Sequence, residues 1–191
     1  MTNNLTPPKK PILFPGLHAI KENWAWFLGL GLFLIVLGAL AAGASVYTTF
    51  LTIFVLGLLL AVGGITQLIY SFWTKDWSGF FYSLLSGLLY LIIGAIFLFK
   101  PVQAAAALTL LIGALFAVSG LFKIIAAVAV RMEHWGWVLF SGIISLILGM
   151  MILSEWPLSG LWIIGLFVGI DLMIYGWLSV LVSLTLKNIK E

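Results

Sequence analysis

The sequence predicts an all-α integral membrane protein: six transmembrane helices forming three copies of one helical hairpin. Three observations predict it. Hydrophobic residues make up 63% of the 191-residue chain and charged residues only 8%, against roughly 25% charged in a soluble domain. The few charges are spaced so that long uncharged runs lie between them. A pair of glycines seven residues apart also recurs six times along the chain. A water-soluble fold of this size has too little interior to hide so much apolar surface. A bilayer has no such limit, because lipid is itself the apolar solvent.

A helix needs about 20 mostly apolar residues to cross a ~30 Å hydrocarbon core. No charged residue occurs from Asn23 to Thr74. That run has room for two spans, predicted at residues 24–44 and 49–73 and divided by the polar stretch 45–49. Lys75 and Asp76 break the run, and a third span is predicted at 77–99. Lys100-Pro101 is the next boundary, since charge and proline together end a helix. The fourth span is expected at 102–130, where Arg131 and Glu133 interrupt it. The fifth covers 135–153, Glu155-Trp156-Pro157 turns the chain, and the sixth covers 158–186. Trp24, Trp26, Trp73, Trp77, Trp135, Trp137, Trp156 and Trp162 fall near these boundaries, as an aromatic belt requires. The hairpins are thus 24–73, 77–130 and 135–186, within a membrane domain of residues 23–186.

Residues 1–22 form a polar tail punctuated by Pro7, Pro8, Pro11 and Pro15, and residues 187–191 form a short second tail. With the N-terminus inside, Lys9, Lys10, Lys21, Lys75, Arg131, Lys187 and Lys190 are cytoplasmic and Lys100 alone lies outside. This asymmetry is a positive-inside signal and places both termini in the cytoplasm. The small residues of 39–44 have the look of a signal-peptide cleavage site. The segment, however, matches two later ones that cannot be signals.

Chemistry is sparse. The absence of Cys excludes disulfides and thiol reactions. No basic stripe is interleaved with aromatics, so nucleic acid is not an expected partner. His18 and His134, the only histidines, sit beside span boundaries and are read as interfacial. No metal-ligand spacing, phosphate loop or catalytic set is present. No enzyme activity, metal or cofactor is therefore expected, and the one partner the composition names is the lipid bilayer.

The glycine pairs are Gly31/Gly38, Gly57/Gly64, Gly87/Gly94, Gly113/Gly120, Gly142/Gly149 and Gly169/Gly176. Spans one, three and five align with shifts of 56 and 55 residues (31 to 87 to 142). Spans two, four and six align with shifts of 56 and 56 (57 to 113 to 169). One fixed period is the signature of a repeat. Seven residues make nearly two helical turns, so each pair lies on one face. A missing side chain there lets a neighbouring backbone approach, which drives helix association inside lipid. All twelve glycines are accordingly assigned to packing.

Two ionisable groups interrupt the apolar spans. Lys123 lies toward the cytoplasmic end of span four, where its long stem is expected to snorkel to the headgroups. Its repeat equivalents are Gln67 and Ser179, both polar, which marks a shared polar position. Asp171 lies well inside span six, where its equivalents are Leu59 and Leu115. It stands about 200° around the helix from Gly169 at 100° per residue. A carboxylate at a helix centre costs about 2.5–3.5 kcal/mol in lipid. Asp171 should therefore face another helix, a polar cavity or a subunit interface, the last of which implies a homo-oligomer. It is either a structural hydrogen-bonding group or a site that binds or relays protons or cations. In the repeat frame Lys123 and Asp171 are eight positions apart, about 12 Å along a helix.

The three Gly-rich hairpins, the Trp that opens spans three and five, Lys100-Pro101 and Trp156-Pro157 after them, and Val168-Gly169-Ile170-Asp171 resemble the HdeD family. That resemblance covers about residues 20–186. It implies a bacterial inner-membrane protein associated with acid resistance, in which the positions of Asp171 and Lys123 can be acidic and basic. The first hairpin departs most, since Ser45 stands where the other two have proline nearby. The resemblance carries no reaction. The leading expectation is a non-enzymatic membrane protein of the acid-stress type, with a structural or interaction role or an effect on proton or solute permeation. The alternative is a small transporter or channel with Asp171 as its titrating site. Against the latter, the repeats are parallel and no span has the Gly/Pro-broken middle of many transporter sites.

Overall fold

The computed structural model describes residues 24–73, 76–130 and 135–188. The first tail, both histidines, and Lys75, Arg131 and Lys190 of the orientation count lie outside the described residues. Six long helices follow one another: α1 (Trp24–Gly43), α2 (Ser45–Ser71), α3 (Trp77–Phe99), α4 (Pro101–Val130), α5 (Trp135–Ser154) and α6 (Ile163–Asn188). A 3₁₀ turn (Leu158–Leu161) precedes α6. Each of the six is long and apolar enough to cross a membrane. Among the described residues there is no strand. Most large apolar side chains are exposed, including Phe33, Leu59, Leu85 and Phe122, which is the arrangement a lipid solvent calls for.

Two helix pairs, α1–α2 and α3–α4, meet in one-residue corners, and the corner's hydrogen bonds repeat at the end of α5. Ala44 joins α1 to α2 (φ −104°, ψ 41°), and Lys100 joins α3 to α4 (φ −134°, ψ 58°). The joining residue donates its N–H four residues back and accepts from the N–H four residues on. Ala44 does so with Leu40 and Thr48, Lys100 with Ile96 and Ala104, and Glu155 with Met151 and Ser159. The three corner residues are 56 and 55 positions apart, the period of the glycines. A hydroxyl four residues past the corner then locks it. Thr48 Oγ1 donates to Ala41 O at 2.9 Å, and Ser159 Oγ donates to Ile152 O at 2.8 Å. The middle copy has Ala104 in that place and opens its helix on Pro101 instead, whose fixed φ suits a first turn.

The corner corrects one expected boundary. Residues 45–49 do not separate two spans but form the first turn of α2. Their hydroxyls bond back to carbonyls four residues earlier, Thr48 Oγ1 to Ala44 O at 3.2 Å and Thr49 Oγ1 to Ser45 O at 2.9 Å. Polar side chains satisfied in this way need no water and do not end a helix.

Contacts divide the chain into two compact units. The larger, Ala39–Ile170, has α2 against α3 and α4 against α5 as its most extensive contacts. Glycines make both seams. A methyl placed on Gly94 would lie 2.9 Å from Ala61 N, and one on Gly64 2.9 Å from Gly87 O. In the second seam a methyl on Gly120 would lie 2.5 Å from Leu146 N, and Gly149 is closer still to Ala117 N. The core of this unit is Ile53, Ala104, Ala105 and Ile164, with Phe97, Leu108 and Ile112 packed on it.

The smaller unit joins α1 up to Gly38 with α6 from Asp171 on. Here a methyl on Gly31 would lie 2.8 Å from Gly176 O, and one on Gly176 2.7 Å from Gly31 O. Ser179 Oγ donates to Phe27 O at 2.9 Å, and Ser183 Oγ donates to Trp24 O. The glycines thus seal α2 to α3, α4 to α5, and α6 to α1. These seams join one hairpin to the next instead of closing the hairpin that the repeat defines.

Candidate functional site

Asp171 lies eight residues into α6, about 12 Å along its axis at 1.5 Å per residue. It is exposed. Ile174, Tyr175 and Leu178 share its side of the helix, within about 60° at 100° per residue, and are 51%, 62% and 51% exposed. Gly169 and Gly176, on the other side, are buried. The expected separation of carboxyl and glycine stripe is therefore what the helix has.

Lys123 has partners on the neighbouring helix. Its Nζ donates to Ser141 Oγ at 3.3 Å and to Ser145 Oγ at 3.4 Å, across the α4–α5 seam. The reason is directional: side chains on a helix slope toward its N-terminus, and α4 begins at the end of the molecule away from Val130. The stem of Lys123 therefore leans back toward the middle of α4, where the serines one turn apart on α5 meet it. Ser145 is buried and Lys123 half-buried.

The equivalent positions divide. Ser179 also bridges its seam, through Phe27 O. Gln67 is half-buried on α2 and makes no side-chain hydrogen bond among the described residues. Two of the three polar positions thus act as glue between paired helices, as hydroxyls and amides do in lipid. The spacing of Ser141 and Ser145, four residues apart on one face of α5, was the signal for the acceptor of Lys123.

The starts of α2, α4 and α6 carry a second polar cluster that the sequence reading did not single out. Gly165 packs against Ser45 O so closely that no side chain fits between them. The approach brings Gly165 N to 2.8 Å from Thr49 Oγ1. Gly165 is in the first turn of α6, where backbone N–H groups have no partner inside the helix. Thr49, fully buried, supplies one from another helix. Its own hydroxyl hydrogen goes to Ser45 O, so it accepts and donates at once. Thr109, also fully buried, has no partner for its Oγ1 among the described residues. At the same corner region Trp156 Nε1 donates to Ala106 O at 3.0 Å, and Gly160 meets the backbone of Ala106.

Comparison with known families returns the same period. The family described as a short repeat of unknown function (DUF308) matches the chain twice, over residues 29–99 and 85–154. The two matches are offset by 56 residues at their starts (29 to 85) and 55 at their ends (99 to 154). Each covers three helices in order, α1–α3 and α3–α5, and so includes one complete glycine seam. No curated protein and no solved structure matches the chain.

Proposed function

Since the chain belongs to the DUF308 short-repeat family, we propose that it is a non-enzymatic membrane protein of the acid-stress type, acting through contacts made within the bilayer. The observation that supports this reading is the outward side of α6. The one acidic residue inside a span, Asp171, is exposed together with Ile174, Tyr175 and Leu178. A carboxylate held in lipid there would cost about 2.5–3.5 kcal/mol. A partner that covers it removes that cost, and Tyr175 one turn away adds a hydroxyl to the same patch. The HdeD-like pattern of glycines, corner prolines and an acidic last span supports the acid-stress context and a bacterial inner membrane, and the distribution of basic residues supports both termini inside.

A conducting role would instead need Asp171 on a path through the protein. The experiment compares proton flux in proteoliposomes carrying the parent chain and Asp171→Asn. Flux no faster than in empty vesicles is expected for both. Flux in the parent that Asp171→Asn abolishes would replace the interaction reading with the transporter. Because the chain has no Cys, Tyr175→Cys gives a single cross-linking site. Oxidative dimers or adducts formed through it, and lost with Asp171→Leu, are the expected sign of contact at this side.

A further inference from the structure

A slot of about 130 Å³ opens between α5 and the start of α6, within the larger unit. Its α5 wall is Leu148, Met151 and Ile152, a stripe at helical spacing that Glu155 continues at the corner. Trp162 and Phe167 stand on the facing wall. From Glu155 to Leu148 is seven residues, about 10 Å along the helix. Glu155 sits at the exposed corner, and everything deeper is apolar except Ser159. That hydroxyl is fully buried and already donates to Ile152 O. The slot is therefore an apolar groove with one carboxylate at its mouth and an indole beside it.

That polarity names the ligand. A carboxylate accepts only, and a Trp face attracts cations. An apolar channel below them takes a hydrocarbon chain. The slot is about 10 Å deep and one side-chain stripe wide along Leu148, Met151 and Ile152, the shape of a single extended chain. In a phospholipid, moreover, an anionic phosphate lies between any ammonium and the tails, and would be set against Glu155. The geometry points to a binding site for a single-chain alkylammonium, its cation on Glu155 and Trp162 and its chain between Leu148 and Phe167. The repeat makes this site singular: the equivalent corners carry Ala44 and Lys100, of which the first offers no charge and the second repels.

The test titrates decylammonium and decanol separately into the full-length protein in nonionic detergent, following Trp fluorescence and thermal unfolding. Saturable binding of decylammonium is expected, with decanol weaker by about fivefold, the order of one exposed ion pair. Glu155→Gln should bring the two ligands level, and Met151→Trp, which fills the slot, should weaken both. Unfolding curves of the variants without ligand separate loss of binding from loss of fold. Equal binding of decanol and decylammonium by the parent chain would overturn the assignment. So would unchanged decylammonium affinity in Glu155→Gln, or displacement of decylammonium by an equal concentration of phosphatidylethanolamine.

Discussion

Thr49 and Thr109 are both fully buried, but they stand in opposite positions. Thr49 receives the N–H of Gly165 and gives its proton to Ser45 O, while Thr109 Oγ1 has no partner among the described residues. Leaving a buried donor unpaired costs about 1–3 kcal/mol. Thr49→Val should therefore lower stability by that amount, because it strands an N–H at the start of α6. Thr109→Val keeps the shape and removes an unpaired hydroxyl, so it should be neutral or stabilising. Thermal unfolding in detergent measures both. A loss at Thr109 equal to that at Thr49 would mean that Thr109 has a partner, such as a buried water. The glycines divide in the same way. A methyl on Gly29 would meet nothing within 4 Å, so Gly29→Ala should be harmless. Gly165→Ala has Ser45 O in its way and should prevent α6 from docking.

At the scale of the element, the sequence marked the helices well and their partners poorly. Charge gaps bounded four of the six spans and the single run that holds the other two, because a charge inside lipid is costly enough to show in composition alone. The end of the first span was read within one residue, but the sharpness of the corner at Ala44 was not legible: it carries no charge and no proline, Gly43 continues a small-residue helical run, and the hydroxyls after it looked like a loop. Glycine spacing showed which face of each helix is thin. It could not show which helix fills that face, since all six helices offer the same complementary stripe. The bonds of Lys123 to Ser141 and Ser145 went unread, although the order of the spans already held the direction of its stem. The seam makes its own prediction. Gly120→Leu and Gly149→Leu should each separate α4 from α5 and unfold the protein in detergent, whereas Lys123→Met should change stability by no more than about 1 kcal/mol. Hydrogen bonds between membrane helices average roughly 0.6 kcal/mol, and a cation at that depth carries an opposing cost of its own. Survival of the Gly120→Leu fold would show that this seam can open without loss.

At the scale of the whole chain, the three seams differ in one respect. The α2–α3 and α4–α5 seams join helices that are neighbours in sequence. The α6–α1 seam joins the two ends of the chain through Gly31, Gly176, Ser179 and Ser183. The protein therefore already forms one of its seams without a short covalent link. If the period of 56 and 55 residues means that the three seams are physically alike, the unlinked one can be moved. A circular permutant that begins at Asp76, runs through the original C-terminus into residue 1, and ends at Lys75 makes α2–α3 the unlinked seam and α6–α1 a linked one. Its ends can be joined through residues 1–23 and 189–191 without a new linker, since Ser183 and Trp24 are in contact. It keeps six spans in the same alternation and the same side for every basic residue. The expected result is a folded protein with thermal stability within about 2 kcal/mol of the parent, because closing a longer loop changes the entropy only slowly. Paired cysteines at Phe27 and Ser179 should form a disulfide in both chains and report the α6–α1 seam directly. A permutant that aggregates, while one opened at the α4–α5 connection folds, would show that α2 and α3 must form as a linked pair before the rest of the chain can pack on them.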